Sequence, residues 1–244
     1  MISKDRKQRT QVSLARALSK LGIASRAQAR RLIEEGRIEV NGKTAHNPGL
    51  WLDPRVDRIT QEGRLLRTRE KIYLALHKPR GIVTTRSDER GRRTVYDLLP
   101  PDFPWVFPVG RLDKDSSGLL LLTNDTEFGE AATGPERKVE KKYRVLLDRP
   151  LTASDRRSLG TGMTLPDGTP LSGASVQSGG GLTEYVIGIS EGKNRQIRKM
   201  CESLGYEVQK LHRISIGDIH LGDLQEGIFR NLSPHERASI LNHT

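Results

Sequence analysis

Four consecutive leucines, Leu119 to Leu122, most restrict how this chain can fold. A run in which every residue is apolar predicts a strand that is buried on both faces. The nine residues before it, Gly110 to Gly118, read GRLDKDSSG and predict a short polar loop. Loops anchored by a rigid buried element often carry functional groups, because the scaffold fixes their geometry. The strand therefore directs attention to the acid in this loop, Asp113.

Residue type and position leave three interpretations of Asp113. It is an ordinary acid of a tight turn, a catalytic nucleophile or base, or a magnesium ligand together with Asp115 and Asp125. The neighbouring Arg111 and the basic surroundings favour pairing with arginine over binding of a cation.

The body of the chain predicts more strands than helices, without a regular β-α-β alternation. This pattern indicates an α+β fold with a central mixed or antiparallel sheet flanked by helices. Residues 142–147 alternate as a strand, with Tyr143 and Val145 on one face. Residues 193–204 predict a helix that ends at Gly205.

The strand tyrosine and the start of that helix are each open to two interpretations. Tyr143 is a half-buried sheet residue or, near RNA, an aromatic face on which an unpaired base stacks. Lys193, Arg195 and Arg198 form a solvated basic helix end or a phosphate site at a helix N-terminus. Arg195 and Arg198 share one face of the predicted helix.

Positive charge is concentrated at the N-terminal end. The 244 residues carry a net charge of +11, and residues 1–70 hold 16 Lys and Arg against 8 Asp and Glu. The rest of the chain is nearly balanced, with 25 against 22. This asymmetry indicates a basic module that binds an acidic partner, with nucleic acid first and an anionic membrane second.

The module itself predicts two short helices and a hairpin. Leu14, Leu18 and Leu21 recur at helical spacing, and Ser25 with Gln28 has the pattern of a capping box. The second helix carries three arginines that form a surface for phosphates or an ordinary solvated face, namely Arg26, Arg30 and Arg31. Asn41-Gly42 then predicts a tight hairpin.

Several classes of function find no support in the sequence. It has no nucleotide-binding glycine motif, no zinc-protease motif and no histidines at ligand spacing. Its one cysteine, Cys201, excludes an intrachain disulfide and a zinc site built on cysteine pairs. We expect no metal and no membrane segment, and a cytoplasmic location.

The N-terminal motif resembles a known RNA-binding domain. The segment LARALSKLGIASRAQARRLIEEGRIEVNGKTA is similar to the S-four domain, first described in the fourth protein of the small ribosomal subunit. The resemblance covers residues 12–60. It implies that the partner is structured RNA.

Three motifs in register behind this domain resemble one enzyme family. The segments GRLDKDSSGLLLLTND, EKKYRV and EGKNRQIRKMCESLG are similar to bacterial ribosomal RNA pseudouridine synthases of the small-subunit-A and large-subunit-B type. The resemblance covers residues 12–232. His77 departs from the family pattern, which usually has asparagine before Lys-Pro.

The resemblance implies an enzyme that isomerises uridine to pseudouridine in ribosomal RNA without a cofactor. Asp113 is then the essential carboxylate, Tyr143 stacks on the target uracil, and Arg198 pairs with Asp113. Arg111 fills the position that the flipped nucleotide leaves.

The resemblance also implies a domain organisation and a partner. We expect a basic mobile tail at 1–11, the S-four domain at 12–60, a linker at 61–70 and the catalytic domain at 71–244, acting as a monomer. The expected partner is ribosomal RNA, of the large subunit (23S) or its assembly intermediate. The alternatives are a 16S rRNA enzyme and a non-catalytic RNA-binding or ribosome-assembly factor.

Overall fold

The computed structural model describes residues 11–242, so nearly all of the predicted tail at 1–11 lies outside it. The chain divides into two compact units. One contains the residues up to Ile72 with 104–107 and 124–126, and the other contains the remainder. No helix in the described range is long and apolar enough to cross a membrane.

The described elements follow in chain order. The helices are α1 Leu14–Lys20, α2 Arg26–Glu34, α3 Thr126–Thr133, α4 Ala153–Thr161, α5 Gln196–Ser203 and α6 Pro234–Leu241, with a 3₁₀-helix at Val95–Leu98. The strands are β1 Val12–Ser13, β2 Ile38–Val40, β3 Lys43–Ala45, β4 Trp51–Leu52, β5 Ile59–Gln61, β6 Arg64–Leu65, β7 Tyr73–Lys78, β8 Phe107–Val109, β9 Ser117–Thr123, β10 Lys141–Leu147, β11 Met163–Thr164, β12 Pro170–Leu171, β13 Ser175–Ser178, β14 Glu184–Ile189, β15 Val208–Ile216, β16 Ile219–His220 and β17 Phe229–Asn231.

The first unit packs two helices against small antiparallel sheets. The amide of Gln28 donates to Ser25 Oγ at 3.2 Å, and the amide of Ser25 donates to Gln28 Oε1 at 3.1 Å, which forms the predicted capping box. This box satisfies donors that the first turn of α2 leaves free. Ala29 and Ile33 on the inner face of α2 are fully buried in the core of this unit.

Strands β3, β2, β5 and β6 form a four-stranded sheet in that order. Asn41 and Gly42, both at positive φ, turn the chain between β2 and β3 as predicted. The segment 61–70, predicted as a linker, contains β6, which pairs with β5 around Glu62 and Gly63. Positive φ at both turn residues closes this hairpin and keeps part of the segment in the sheet.

The second unit is built on one nine-stranded mixed sheet. Its main strand order is β13, β14, β10, β15, β9, β7 and β17, with β16 paired to β15 and β8 paired to β9. The pairing of β15 with β9 is parallel, whereas β10 pairs antiparallel with both β14 and β15. The predicted α+β class with a mixed sheet and helices is confirmed.

The leucine run occupies the predicted position inside this sheet. Leu119 to Leu122 belong to β9 and are fully buried. Burial on both faces explains why the run has no alternating polar residues. The loop that contains Asp113 therefore leads directly into a central strand.

Gly118 is required where β9 meets β15. Its φ is 105°, and a β-carbon there would overlap the backbone carbonyl oxygen and nitrogen of Arg213. Both the dihedral angle and the close backbone approach therefore demand glycine.

We predict that Gly118→Ala lowers the free energy of unfolding by about 2–4 kcal/mol, because backbone strain and overpacking add together. Gly168→Ala is the matched control, since Gly168 has φ 82° but no atom within 4 Å of the added carbon. It is expected to cost about 1 kcal/mol. Chemical denaturation measures both, and equal losses would show that the contact with Arg213 is unimportant.

Candidate active site

The backbone of the loop that carries Asp113 is hydrogen-bonded to a fully buried lysine. Lys78, the last residue of β7, donates from Nζ to the carbonyl oxygens of Pro79 at 2.9 Å, Asp113 at 3.1 Å and Ser116 at 2.8 Å. Burial lowers the pKa of Lys78, the negative charges of Asp113 and Asp115 limit the drop, and the resulting pKa is about 8. The ammonium group thus ties both ends of the acidic turn to the sheet.

The same loop is also bonded to the segment that follows β7. Thr84 Oγ1 donates to the carbonyl of Leu112 at 2.8 Å and accepts from its amide at 3.3 Å. The amide of Gly81 donates to the carbonyl of Lys114 at 2.8 Å. Residues on either side of Asp113 are therefore anchored, which leaves its side chain as the projecting group.

Lys78 is not among the site residues that the sequence predicts. A signal was present, because β7 places Leu74, Leu76 and Lys78 at alternating positions of one strand. A lysine that continues a buried stripe needs polar partners inside the protein.

Asp113 lines a cleft of about 660 Å³ in the second unit. Its carboxylate is 33% exposed, and Arg195 Nη1 lies 4.0 Å from its Oδ2. The charged residues lining the cleft are five cations, Arg111, Lys141, Lys193, Arg195 and Arg213, and two acids, Asp113 and Glu191. The cleft therefore combines the accessible carboxylate of Asp113 with an excess of positive charge, which suits a substrate that carries phosphates.

Tyr143 lies in this cleft, on β10, and is 8% exposed. Arg213 is its register partner on β15 and donates from Nη1 to Tyr143 Oη at 3.3 Å. Arg213 also donates from Nε to the carbonyl of Leu119 at 2.6 Å. The tyrosine is thus oriented by a buried arginine that the sequence interpretation did not single out.

Arg198 does not form the expected ion pair with Asp113. It is buried, and its Nη1 donates to the carbonyl of Val208 at 2.8 Å while Nη2 donates to the carbonyl of Asp115 at 3.2 Å. Its guanidinium thus donates to two carbonyl oxygens, and the cation that lies within 4.0 Å of the Asp113 carboxylate among residues 11–242 is Arg195. Arg198 therefore acts on the backbone of the acidic loop, while its burial lowers the pKa of its guanidinium.

Helix α5 begins at Gln196, later than predicted, because Arg195 adopts the left-handed conformation with φ 53°. The preceding turn is held by Glu191, which accepts from the amide of Ser172 at 2.7 Å and from Gln196 Nε2 at 2.8 Å. Lys193 Nζ lies 3.2 Å from Glu191 and also donates to the carbonyl of Pro170. Lys193 and Arg195 both line the cleft, but only Arg195 faces Asp113 within ion-pair distance.

Arg111 lines two clefts that share the acidic loop as a wall. One is the cleft of Tyr143, and the other, of about 410 Å³, lies between residues 83–92 and 111–114. An exposed arginine at this boundary can reach a nucleic-acid strand on either side.

Arg26, Arg30 and Arg31 are exposed on α2 of the first unit, whose Ala29 and Ile33 are buried. Within residues 11–242, none of the three arginines has an acidic partner within 4.0 Å. Their charge is available to a ligand. Over the same range, no group of three or more His, Cys, Asp or Glu side chains is arranged to hold a metal ion.

We predict that Lys78→Met loosens the Asp113 loop, because three carbonyl oxygens lose their donor at a net cost of about 2 kcal/mol. Hydrogen exchange at the amides of Gly81 and Ser116, which bond across and within the loop, should accelerate at least tenfold. Exchange at the amide of Val145 in β10 is the internal control. Unchanged protection at Gly81 and Ser116 would contradict the supporting role of Lys78.

Comparisons with known proteins agree with this geometry. A family model described as RNA pseudouridylate synthase matches residues 72–203, and a model of the S4 domain, the S-four domain above, matches residues 12–54.

Two curated relatives align over most of the chain. Ribosomal large subunit pseudouridine synthase B of Bacillus subtilis (strain 168) is 35% identical over 227 residues, which cover 91% of this chain and 93% of the relative. The dual-specificity RNA pseudouridine synthase RluF of Escherichia coli O6:H1 is 37% identical over 232 residues, which cover 94% of this chain and 78% of the relative.

A solved structure described as a pseudouridylate synthase superposes with a TM-score of 0.70 at 29% identity, covering 94% of this chain and 99% of the other.

Proposed function

Because the chain belongs to the RNA pseudouridylate synthase family, we propose that it isomerises specific uridines of ribosomal RNA to pseudouridine, with Asp113 as the essential carboxylate. The target is 23S rRNA or a large-subunit assembly intermediate, as the name of the Bacillus subtilis relative suggests. The observation that carries the proposal is the convergence of Asp113, Tyr143 and cations in one cleft.

The reaction exchanges one glycosidic bond for another. The bond between N1 of uracil and C1′ of ribose breaks, the ring turns, and C5 bonds to C1′. C5 then loses its proton and N1 gains one, so nothing is oxidised or reduced and the atoms balance without a cofactor. Asp113 is suited to this chemistry because its backbone is anchored by Lys78 and Thr84 while its carboxylate remains accessible.

The target uridine must leave its helix to reach Asp113. Extruding a nucleotide costs a few kcal/mol of stacking and pairing energy. Tyr143 offsets part of this cost by stacking on the uracil, a contact worth roughly 1–3 kcal/mol. Arg111, exposed on the rim beside Asp113, fills the position left by the nucleotide.

The resemblance implied that Arg198 alone pairs with Asp113, but in the proposed site Arg195 and Arg198 have separate roles. Arg195 Nη1, 4.0 Å from Asp113 Oδ2, places a positive charge beside the carboxylate and moderates its repulsion from RNA phosphates. Arg198 keeps the acidic loop in place through the carbonyl of Asp115. Together with Lys193, Arg195 also presents positive charge to the RNA backbone.

The first unit supplies affinity for structured RNA through Arg26, Arg30 and Arg31 on α2. One chain carries every proposed site residue, so a monomer is expected to suffice, acting on its ribosomal RNA in the cytoplasm.

We predict that Asp113→Asn reduces pseudouridine formation at least 1000-fold and leaves RNA affinity within about threefold of wild type, because only the reacting charge is removed. Chemical mapping of pseudouridine and a filter-binding assay measure the two effects. Asp115→Asn is the matched control, since Asp115 is an exposed acid of the same loop.

Equal loss of binding and activity in Asp113→Asn would argue against a catalytic role. A wild-type protein that binds rRNA but forms no pseudouridine would favour the alternative of an assembly factor.

We also predict that Arg26, Arg30 and Arg31, changed together to Gln, weaken RNA binding and reduce the salt dependence of affinity. The slope of log K against log salt should fall by roughly 2–3 units, because three phosphate contacts are lost. Arg55→Gln is the control, since Arg55 is paired with Asp53 at 3.0 Å. An unchanged slope in the triple variant would place the RNA elsewhere.

A further inference from the structure

Among the described residues, two cations of the cleft are at least half-buried and have no acidic side chain within 4.0 Å. Arg213 is only 4% exposed, and its Nη2 has no hydrogen-bond partner within the described residues, although Nε and Nη1 are both bonded. A buried donor without an acceptor costs about 1–3 kcal/mol, so such an atom needs an explanation.

Lys141 is the second cation, on β10. It is half-buried, lines the same cleft, and has no acidic side chain within 4.0 Å among the residues that the structure describes. Burial, together with the smaller effect of the neighbouring charge of Arg213, lowers the pKa of Lys141 to about 8. Both groups would therefore be stabilised by a negative charge placed between them.

The position of these cations is tied to that of Tyr143. Lys141 and Tyr143 are two residues apart on β10, so their side chains leave the same face of the sheet, roughly 7 Å apart. Arg213 lies directly opposite Tyr143 on β15. The edge of a ring stacked on Tyr143 would therefore lie near two hydrogen-bond donors, Lys141 on β10 and Arg213 on β15.

We propose that Lys141 and Arg213 form a subsite that binds the ring oxygens of the detached uracil and stabilises its negative charge. This inference rests on the proposed function. When the N1–C1′ bond breaks, the electron pair remains on the ring and is shared with its carbonyl oxygens, until C5 bonds to C1′. The two cations are in place before this charge develops, which is the condition under which charged donors lower a barrier most.

A backbone phosphate is the other source of negatively charged oxygen, but the distribution of the cations favours the ring. Arg111, Lys193 and Arg195 are exposed, at positions that a permanently charged, hydrated phosphate can reach. Arg213 is buried against Tyr143, where the uracil is expected. The interior donors therefore suit the charge that appears during the reaction.

Lys141→Met and Lys142→Met form a matched pair for the test. Lys142 is the next residue on β10, with a side chain 43% exposed that lies 3.6 Å from Glu140. Single-turnover rates of pseudouridine formation at saturating enzyme report on chemistry, and dissociation constants for the rRNA fragment report on binding. Thermal melting verifies that each variant is folded.

We expect Lys141→Met to lower the single-turnover rate about 100-fold, with RNA affinity within threefold of wild type. Lys142→Met should keep the wild-type rate. Lys141→Arg should keep most of the wild-type activity because arginine retains the positive charge. Arg213→Lys keeps the positive charge but replaces the planar guanidinium with an ammonium group. This change should also lower the rate without weakening RNA binding.

A loss of RNA affinity in Lys141→Met with a normal single-turnover rate would assign the subsite to a phosphate and overturn the inference. Equal rates for Lys141→Met and wild type would also overturn it, while leaving the proposed function intact. Failure of the proposed function gives a different result, because wild-type protein would then form no pseudouridine at all.

Discussion

The candidate site depends on one buried ammonium group. Lys78 ends β7 inside the sheet, and its three bonds to backbone carbonyls join β7 to both ends of the acidic turn. A buried charge is stable only when polar groups replace its hydration. The turn supplies those groups, so the folding of the core and the geometry of Asp113 are set by the same contacts.

Among the described residues, the buried arginines Arg198 and Arg213 follow this rule in part, since Arg198 Nε and Arg213 Nη2 have no hydrogen-bond partner. Arg198 donates to the carbonyls of Val208 and Asp115, and Arg213 donates to the carbonyl of Leu119 and the hydroxyl of Tyr143. Their polar partners are thus dipoles and not carboxylates. Asp113 consequently remains accessible, with Arg195 at 4.0 Å as its neighbour, and is available for chemistry.

Much of the fold could be predicted from local patterns. The capping box at Ser25 and the buried run Leu119 to Leu122 depend on neighbours in sequence, and both were confirmed. Helix α4 was missed, although Thr152 and Asp155 mark its start. The partner of Arg198 could not be predicted, because it depends on where β15 begins relative to the acidic loop.

The sequence by itself determined the α+β class, the family, and the three motifs that carry Asp113, Tyr143 and the arginine-rich turn. These depend on residue type and short-range spacing, which can be recognised without knowledge of the fold. Only the tertiary structure decided that Lys78 supports the Asp113 loop and that Lys141 and Arg213 line the same cleft. Strand register and burial bring them there, because β7, β10 and β15 are far apart in the chain but share one sheet.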